Sequence, residues 1–309
     1  MAECLVTGGA GFIGSHLVAG LLEAGHAVRV VDNLSTGNLE NLASVKDRID
    51  FREGDVSDPQ TALDVSDGME VVFHLAALPS VPLSVEDPLR SHLHCTTATV
   101  SLLDASRRKG VRRLVLASSC GVYGERPELP KLEDQLPQTL SPYTAAKLAS
   151  EHYCESFSAC YELETVALRY FNVYGPRQDP GSPYSAVIPI FIEAFRRGEQ
   201  PTVFGDGLQS RDFVFVEDVV QANLKAAFAE GVSGEVFNVG TGQETTLLDL
   251  IDQISDLLGI EANPTFAEAR TGDVRQSWAD LSRSRNKLGY EPRFSLPEGL
   301  RRTVNSFLS

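Results

Sequence analysis

Short hydrophobic runs recur along the first half of the chain, with amphipathic stretches between them. Residues 3–6, 27–31, 50–53, 71–75, 113–117 and 165–168 read as buried strands. Residues 13–23, 97–108 and 143–158 carry apolar positions three and four apart, which predicts helices. Buried strands alternating with helices imply an α/β fold, a Rossmann-type doubly wound parallel sheet. Around Phe171 the character changes, because turn formers crowd residues 172–177, 179–183 and 205–207. The pattern therefore predicts a sheet domain over residues 1–170 and a smaller C-terminal α/β substrate domain over 171–309. Residues 218–240 read as one more helix and strand, expected to return to the sheet.

The first predicted strand runs directly into Thr7-Gly8-Gly9-Ala10-Gly11-Phe12-Ile13-Gly14. Glycines at 8, 11 and 14 permit a tight turn, a close backbone approach to a pyrophosphate, and close helix–strand packing. The helix that follows offers N–H donors and the positive end of its dipole. Asp32 ends the second strand eighteen residues after Gly14, where a carboxylate can accept bonds from both ribose hydroxyls of an adenosine. No arginine follows to receive a 2′-phosphate, since the chain continues Asn33-Leu34-Ser35, so NAD is expected over NADP. Asp55-Val56 is expected to end the third strand and cap the adenine.

Tyr143 and Lys147 stand four apart on a predicted helix, one above the other. A free phenol, with a pKa of about 10, is a weak base at neutral pH; a nearby ammonium and a positive nicotinamide ring both favour its anion. The pair thus suits removal of a proton from an alcohol.

Charge narrows the partners. Lysine and arginine number 27 against 42 acidic residues, a net charge of −15, which argues against nucleic acid or an anionic membrane as partner. No apolar run reaches the roughly 18 residues of a membrane span. The start of the chain reads as a strand and not as a signal peptide. Five cysteines without a CxxC pair suggest a reducing, cytoplasmic setting and no metal site.

Ten motifs together carry a resemblance: TGGAGFIG at 7–14, VDN at 31–33, GDV at 54–56, HLAA at 74–77, SSCGVYG at 118–124, YTAAK at 143–147, LRYFNVYGPRQ at 168–178, GDGLQSRDFVFVEDV at 205–219, NVGTG at 238–242 and RTGDVRQSWAD at 270–280. The chain resembles an extended short-chain dehydrogenase/reductase of the NAD-dependent nucleotide-sugar epimerase/dehydratase family, over nearly its full length. The resemblance implies NAD held by Gly8, Gly11, Phe12, Ile13, Gly14, Asp32, Asn33, Asp55, Val56, Leu75, Ala76, Ala77, Tyr143, Lys147 and Tyr170. It implies oxidation of a sugar C4 hydroxyl by Tyr143, aided by Lys147 and Ser119. Ser80, Asn172, Val187 and Ile188 would approach the nucleotide sugar, and Phe204 would lie against uracil. Arg211 and Arg270 would grip the phosphates and Asp273 the ribose, as the arginine fork suits phosphate oxygens. Many UDP-glucose 4-epimerases carry a bulky tyrosine where this chain has Ser277, so room for a 2-acetamido group, hence UDP-GlcNAc, is expected. A homodimer through the helices at 97–108 and 143–158 is the family expectation.

One position departs from the pattern. Dehydratases of this family place Asp-Glu after the catalytic serine position, and epimerases two unreactive residues; here the pair is Cys120-Gly121. Cys120 reads either as a small packed side chain or as an acid/base thiol acting at C5 and C6. The second reading makes the expected activity that of a UDP-GlcNAc 5,6-dehydratase, with a 4-epimerase as the alternative and a non-catalytic NAD-binding regulatory protein as a third class. Trp278 and the Phe191/Phe195 pair read as core, and His92 and His94 as packed or solvated.

Overall fold

A computed structural model describes residues 1–179, 181, 186–269 and 274–308. In chain order its first strands are β1 (Glu3–Thr7), β2 (Ala27–Asp32), β3 (Ile49–Glu53), β4 (Val71–His74), β5 (Arg113–Ser119) and β6 (Glu164–Tyr170). There follow β7 (Asn172–Tyr174), β8 (Thr202–Phe204), β9 (Ser210–Arg211), β10 (Phe213–Phe215), β11 (Glu235–Val239), β12 (Thr245–Thr246), β13 (Thr265–Ala267) and β14 (Gln276–Ser277). The helices are α1 (Phe12–Glu23), α2 (Pro59–Ser66), α3 (Val81–Glu86), α4 (Pro88–His92), α5 (Ala98–Lys109), α6 (Pro142–Cys160), α7 (Val187–Arg196), α8 (Val216–Phe228), α9 (Leu247–Leu258) and α10 (Leu296–Leu308).

Seven parallel strands form the main sheet in the order β11-β6-β5-β4-β1-β2-β3. The order reverses between β1 and β4, so the loops leaving their C-terminal ends diverge and open a crevice. Helices cover both faces. Leu17, Val18 and Leu21 of α1 and Val219, Ala222 and Ala226 of α8 close one core. Ala62 of α2, Leu102 and Leu103 of α5 and Cys154 of α6 close the other. Burial on both sides explains why β5 reads as the unbroken run Leu114-Val115-Leu116-Ala117.

The strands run further than the apolar runs suggest. β5 continues to Ser119 and β6 to Tyr170, which carries polar side chains on the strands themselves to the crevice. β3 stops at Glu53, so Asp55 and Val56 lie in the following loop and not at the strand end expected of them. Ahead of α5, residues Leu93–Thr97 form a π-helical turn that neither spacing nor composition signals.

The C-terminal half builds a third core from Ile188, Phe191, Ile192 and Phe195 of α7, Leu250, Ile251 and Ile254 of α9 and Leu300 and Val304 of α10. Its strands are short, and two of them, β12 and β14, flank β9. Buried Asp212 fixes that region by accepting the Thr241 and Gly242 N–H groups at 2.7 and 2.9 Å and the Ala279 N–H at 3.2 Å.

Candidate active site

Gly8 adopts φ +68°, and a Cβ there would stand 2.8 Å from the Ala76 nitrogen. Only glycine lets the turn after β1 press so closely on the segment after β4. A Cβ at Gly14 would lie 2.1 Å from the Gly8 carbonyl oxygen, so α1 can start directly against the turn. Asp32 crosses from β2 to bind this turn. Its carboxylate accepts the Ala10 N–H at 2.9 Å and the Leu34 N–H at 2.8 Å. Burial pushes the carboxyl above its ordinary range, and the two N–H donors oppose that shift.

Beside this turn opens a cleft of about 500 Å³. Its wall includes Gly8, Gly11, Phe12, Ile13, Gly14, Asp32, Asn33, Asp55, Val56, Leu75, Ala76 and Ala77 at one end, and Tyr143, Lys147, Tyr170, Asn172, Val187 and Ile188 at the other. A glycine cradle at a helix N-terminus, with a strand-end carboxylate exposed to the same cleft, fits a dinucleotide. His94 also lines the cleft, with Nδ1 3.4 Å from Asp55 Oδ2, so it is not a bystander.

The catalytic end rests on α6. Pro142 occupies its first turn, the Ser141 hydroxyl accepts the Thr144 N–H at 3.2 Å, and the Thr144 hydroxyl accepts the Ser141 N–H at 3.1 Å. This capping box fixes where the helix begins, and so where Tyr143 and Lys147 point. The Ser119 side chain stands by the Tyr143 hydroxyl and favours its anion, and the Lys147 ammonium donates to the Ala117 carbonyl at 2.7 Å. Lys147 Nζ stands 5.9 Å from the centre of the Tyr143 ring. Burial pushes the phenol up, against the influence of Ser119, and pushes the lysine down. Both groups thus sit in a site where an added positive charge would strongly favour the phenolate.

Ser80, Ser119, Cys120, Phe204, Arg211 and Ser277 stand outside the wall of that cleft. Ser80 caps α3 by accepting the Leu83 N–H at 3.1 Å. Arg211 and Ser277 are direct partners across β9 and β14, and Ser277 is buried. Phe204 ends β8 and is half-buried. Arg270 and Asp273 lie outside the described residues. Phe191 and Phe195 are core, and Trp278 is half-buried.

Cys120 follows Ser119 directly and is half-buried. Its side chain packs against the core beneath β5, and burial pushes the thiol up to about 12, despite the Arg211 charge. Burial disfavours the thiolate here as it disfavours the Tyr143 phenolate.

Two further residues went unread in the sequence. His74 at the end of β4 is fully enclosed, between the Thr7 and Thr99 hydroxyls at 2.8 and 3.1 Å from Nδ1 and Nε2. Glu151 lies one turn beyond Lys147 on the same face of α6, a spacing visible in the chain, but nothing in the sequence names its partners.

Residues 4–240 match the family model described as the NAD dependent epimerase/dehydratase family. The chain is 44% identical over 307 residues to a UDP-glucose 4-epimerase of Mycolicibacterium smegmatis, covering 98% of this chain and 97% of the relative. A crystal structure of UDP-glucose 4-epimerase with UDP-glucose from Thermotoga maritima superposes with a TM-score of 0.94 at 42% identity, covering 99% of this chain and 98% of that one. A UDP-N-acetylglucosamine 4-epimerase from Methanobrevibacter ruminantium M1, in complex with UDP-N-acetylmuramic acid, gives a TM-score of 0.94 at 40% identity over the same shares.

Proposed function

Because the chain belongs to the NAD-dependent epimerase/dehydratase family, we propose that it is a UDP-hexose 4-epimerase that uses UDP-glucose or UDP-galactose and admits a 2-acetamido group. The observation that carries this reading is the Tyr143–Lys147 pair facing the cleft beside Ser119, in a chain whose next two residues, Cys120-Gly121, include no carboxylate. The set suits oxidation and reduction at C4, and the Asp-Glu pair that dehydratases of the family use for elimination is not in its place. The relatives' activities agree in favouring epimerisation over the expected dehydration.

Bound NAD supplies the oxidant that accepts and returns hydride at C4. The residues do the rest. Tyr143 takes the C4 hydroxyl proton as hydride departs, with Ser119 bonded to the same oxygen site and Lys147 favouring the phenolate. The resulting 4-keto sugar is neutral at that carbon and is reduced on its other face, with the proton returned from Tyr143. To offer that face the ring must turn, so the pocket must be roomy. By family resemblance Ser277, small where many relatives carry a tyrosine, is assigned to leave volume for the acetamido group. Arg211 is assigned to the diphosphate, with Asn172, Val187, Ile188 and Phe204 against the nucleotide. Arg270 and Asp273 are assigned by family resemblance. We include a homodimer through α5 and α6, which solution mass would test. No helix among the described residues is long and apolar enough to cross a membrane.

Incubation with UDP-glucose tests the activity. The account expects a product of unchanged mass with inverted C4 configuration. A product lighter by one water would instead establish dehydration.

A further inference from the structure

Helix α6 meets the last three residues of β5 at three successive points. Lys147 donates to the Ala117 carbonyl at 2.7 Å, Tyr143 has Ser119 beside its hydroxyl, and between them the Ser118 hydroxyl donates to Glu151 Oε1 in a close contact. Tyr143, Lys147 and Glu151 are spaced four apart and form one stripe of the helix. The first two points belong to the catalytic set. Glu151 belongs to it in neither chemistry nor reach, because its carboxylate is held from the far side. Arg169 of β6 clamps it with two parallel bonds, Nε to Oε1 at 3.0 Å and Nη2 to Oε2 at 2.7 Å.

Among the described residues no ion pair is more enclosed, with side chains only 4% and 3% exposed. Burying two charges is costly unless the geometry serves something, and a close apolar packing would often be as stable. What the pair ties together is informative. Arg169 lies over the Tyr123 ring at 4.7 Å, and the Tyr123 hydroxyl donates to Asn238 at 2.6 Å. The helix of Tyr143 and Lys147, the strand of Ser118 and Ser119, the strand of Arg169 and the outermost strand β11 thus share one joint, built of hydrogen bonds and a cation–π contact. Ser118 lines the cleft and is itself buried, so the joint reaches the wall of the reaction site.

We propose that the Ser118–Glu151–Arg169 joint is a positioning device, in which Glu151 fixes the end of β5 so that Ser119 and the Ala117 carbonyl meet Tyr143 and Lys147 in reactive register. The carboxylate also favours the charged form of Lys147 through its field, and the contribution assigned here is the separate one of holding Ser118. The inference rests on the epimerase reading, since it concerns the same proton transfer. Displacement of a reacting group by about 1 Å can lower a rate by about 100-fold while leaving binding intact.

Ser118→Ala in the NAD-loaded full chain is the test, because it removes the hydroxyl and leaves the buried ion pair whole. With UDP-glucose, kcat should fall about 10- to 100-fold, while KM and bound NAD per chain stay at wild-type values. Ser118→Thr, which keeps a hydroxyl, should restore most of the rate. Wild-type kcat in Ser118→Ala overturns the proposal, and so does a loss shared equally by KM and NAD content, which a general loosening would give. A wild-type chain that converts no UDP-hexose overturns the epimerase reading, and this proposal with it.

Discussion

Acidification should destabilise this chain through His74 by an amount that the structure fixes. The imidazole is 1% exposed and lies between two hydroxyls. The bonds assign its tautomer. Thr99 donates to the Cys95 carbonyl at 2.6 Å and so accepts from Nε2–H, while Thr7 accepts the Ala76 N–H at 3.2 Å and so donates to Nδ1. A second proton on Nδ1 would force the Thr7 hydroxyl to turn its own hydrogen away from the ring, and would place a charge where no water reaches it. Burial therefore holds His74 down to about 3, against 6.5 for a free imidazole. A lowered folded value means full stabilisation above the unfolded value, lost as pH falls from 6.5 towards 3. At pH 5 the unfolded chain gains a proton that the folded chain refuses, at about 1.4 kcal/mol per pH unit, giving a loss of about 2 kcal/mol relative to pH 7. Urea titrations of the wild type and His74→Gln at the two pH values isolate this term by subtraction. His74→Gln is less stable at pH 7, but its further loss on going to pH 5 should be smaller by about 2 kcal/mol. Equal losses in the two proteins would refute the reasoning.

Tyr143→Phe keeps the ring and removes the acid/base oxygen, so turnover should fall by about 10² to 10⁴ with NAD still bound; a near-normal rate would remove Tyr143 from the chemistry. Asp32→Ala should both weaken NAD and lower the melting temperature of the NAD-free chain, because the Ala10 N–H loses its 2.9 Å acceptor inside the protein, at about 1–3 kcal/mol. Calorimetric titration and thermal melts check the two halves, and an unchanged melt would mean that the turn does not depend on the carboxylate. Ser277→Tyr should penalise UDP-GlcNAc far more than UDP-glucose in kcat/KM, and equal losses would place Ser277 away from the C2 substituent.

The sheet half was legible because its strands are buried on both faces and therefore apolar over their length, as in Leu114–Ala117. The cofactor end was legible for a related reason: Gly8 and Gly14 are spaced by a backbone constraint, and a constraint of that kind leaves a fixed pattern. The second half left weaker traces. Strands of two residues, such as Ser210–Arg211 and Gln276–Ser277, are too short to show a period of two, and tertiary bonds to Asp212 hold them in place. The Glu151–Arg169 joint was hidden because its members are unremarkable singly and meet only through the parallel pairing of β5 with β6. Cys120 is legible in position, directly after Ser119, while its surroundings against the core are not displayed by a single sequence position.

The central claim is that hydride leaves C4 and returns to C4, with C5 and C6 untouched. UDP-glucose carrying deuterium at C4 tests it in one incubation, with the product read by mass and proton resonance. The account predicts a C4 epimer of unchanged mass that keeps its deuterium at C4. In a second sample, unlabelled substrate in deuterated water should acquire no deuterium at C5. Loss of one water, or solvent deuterium at C5, would contradict it.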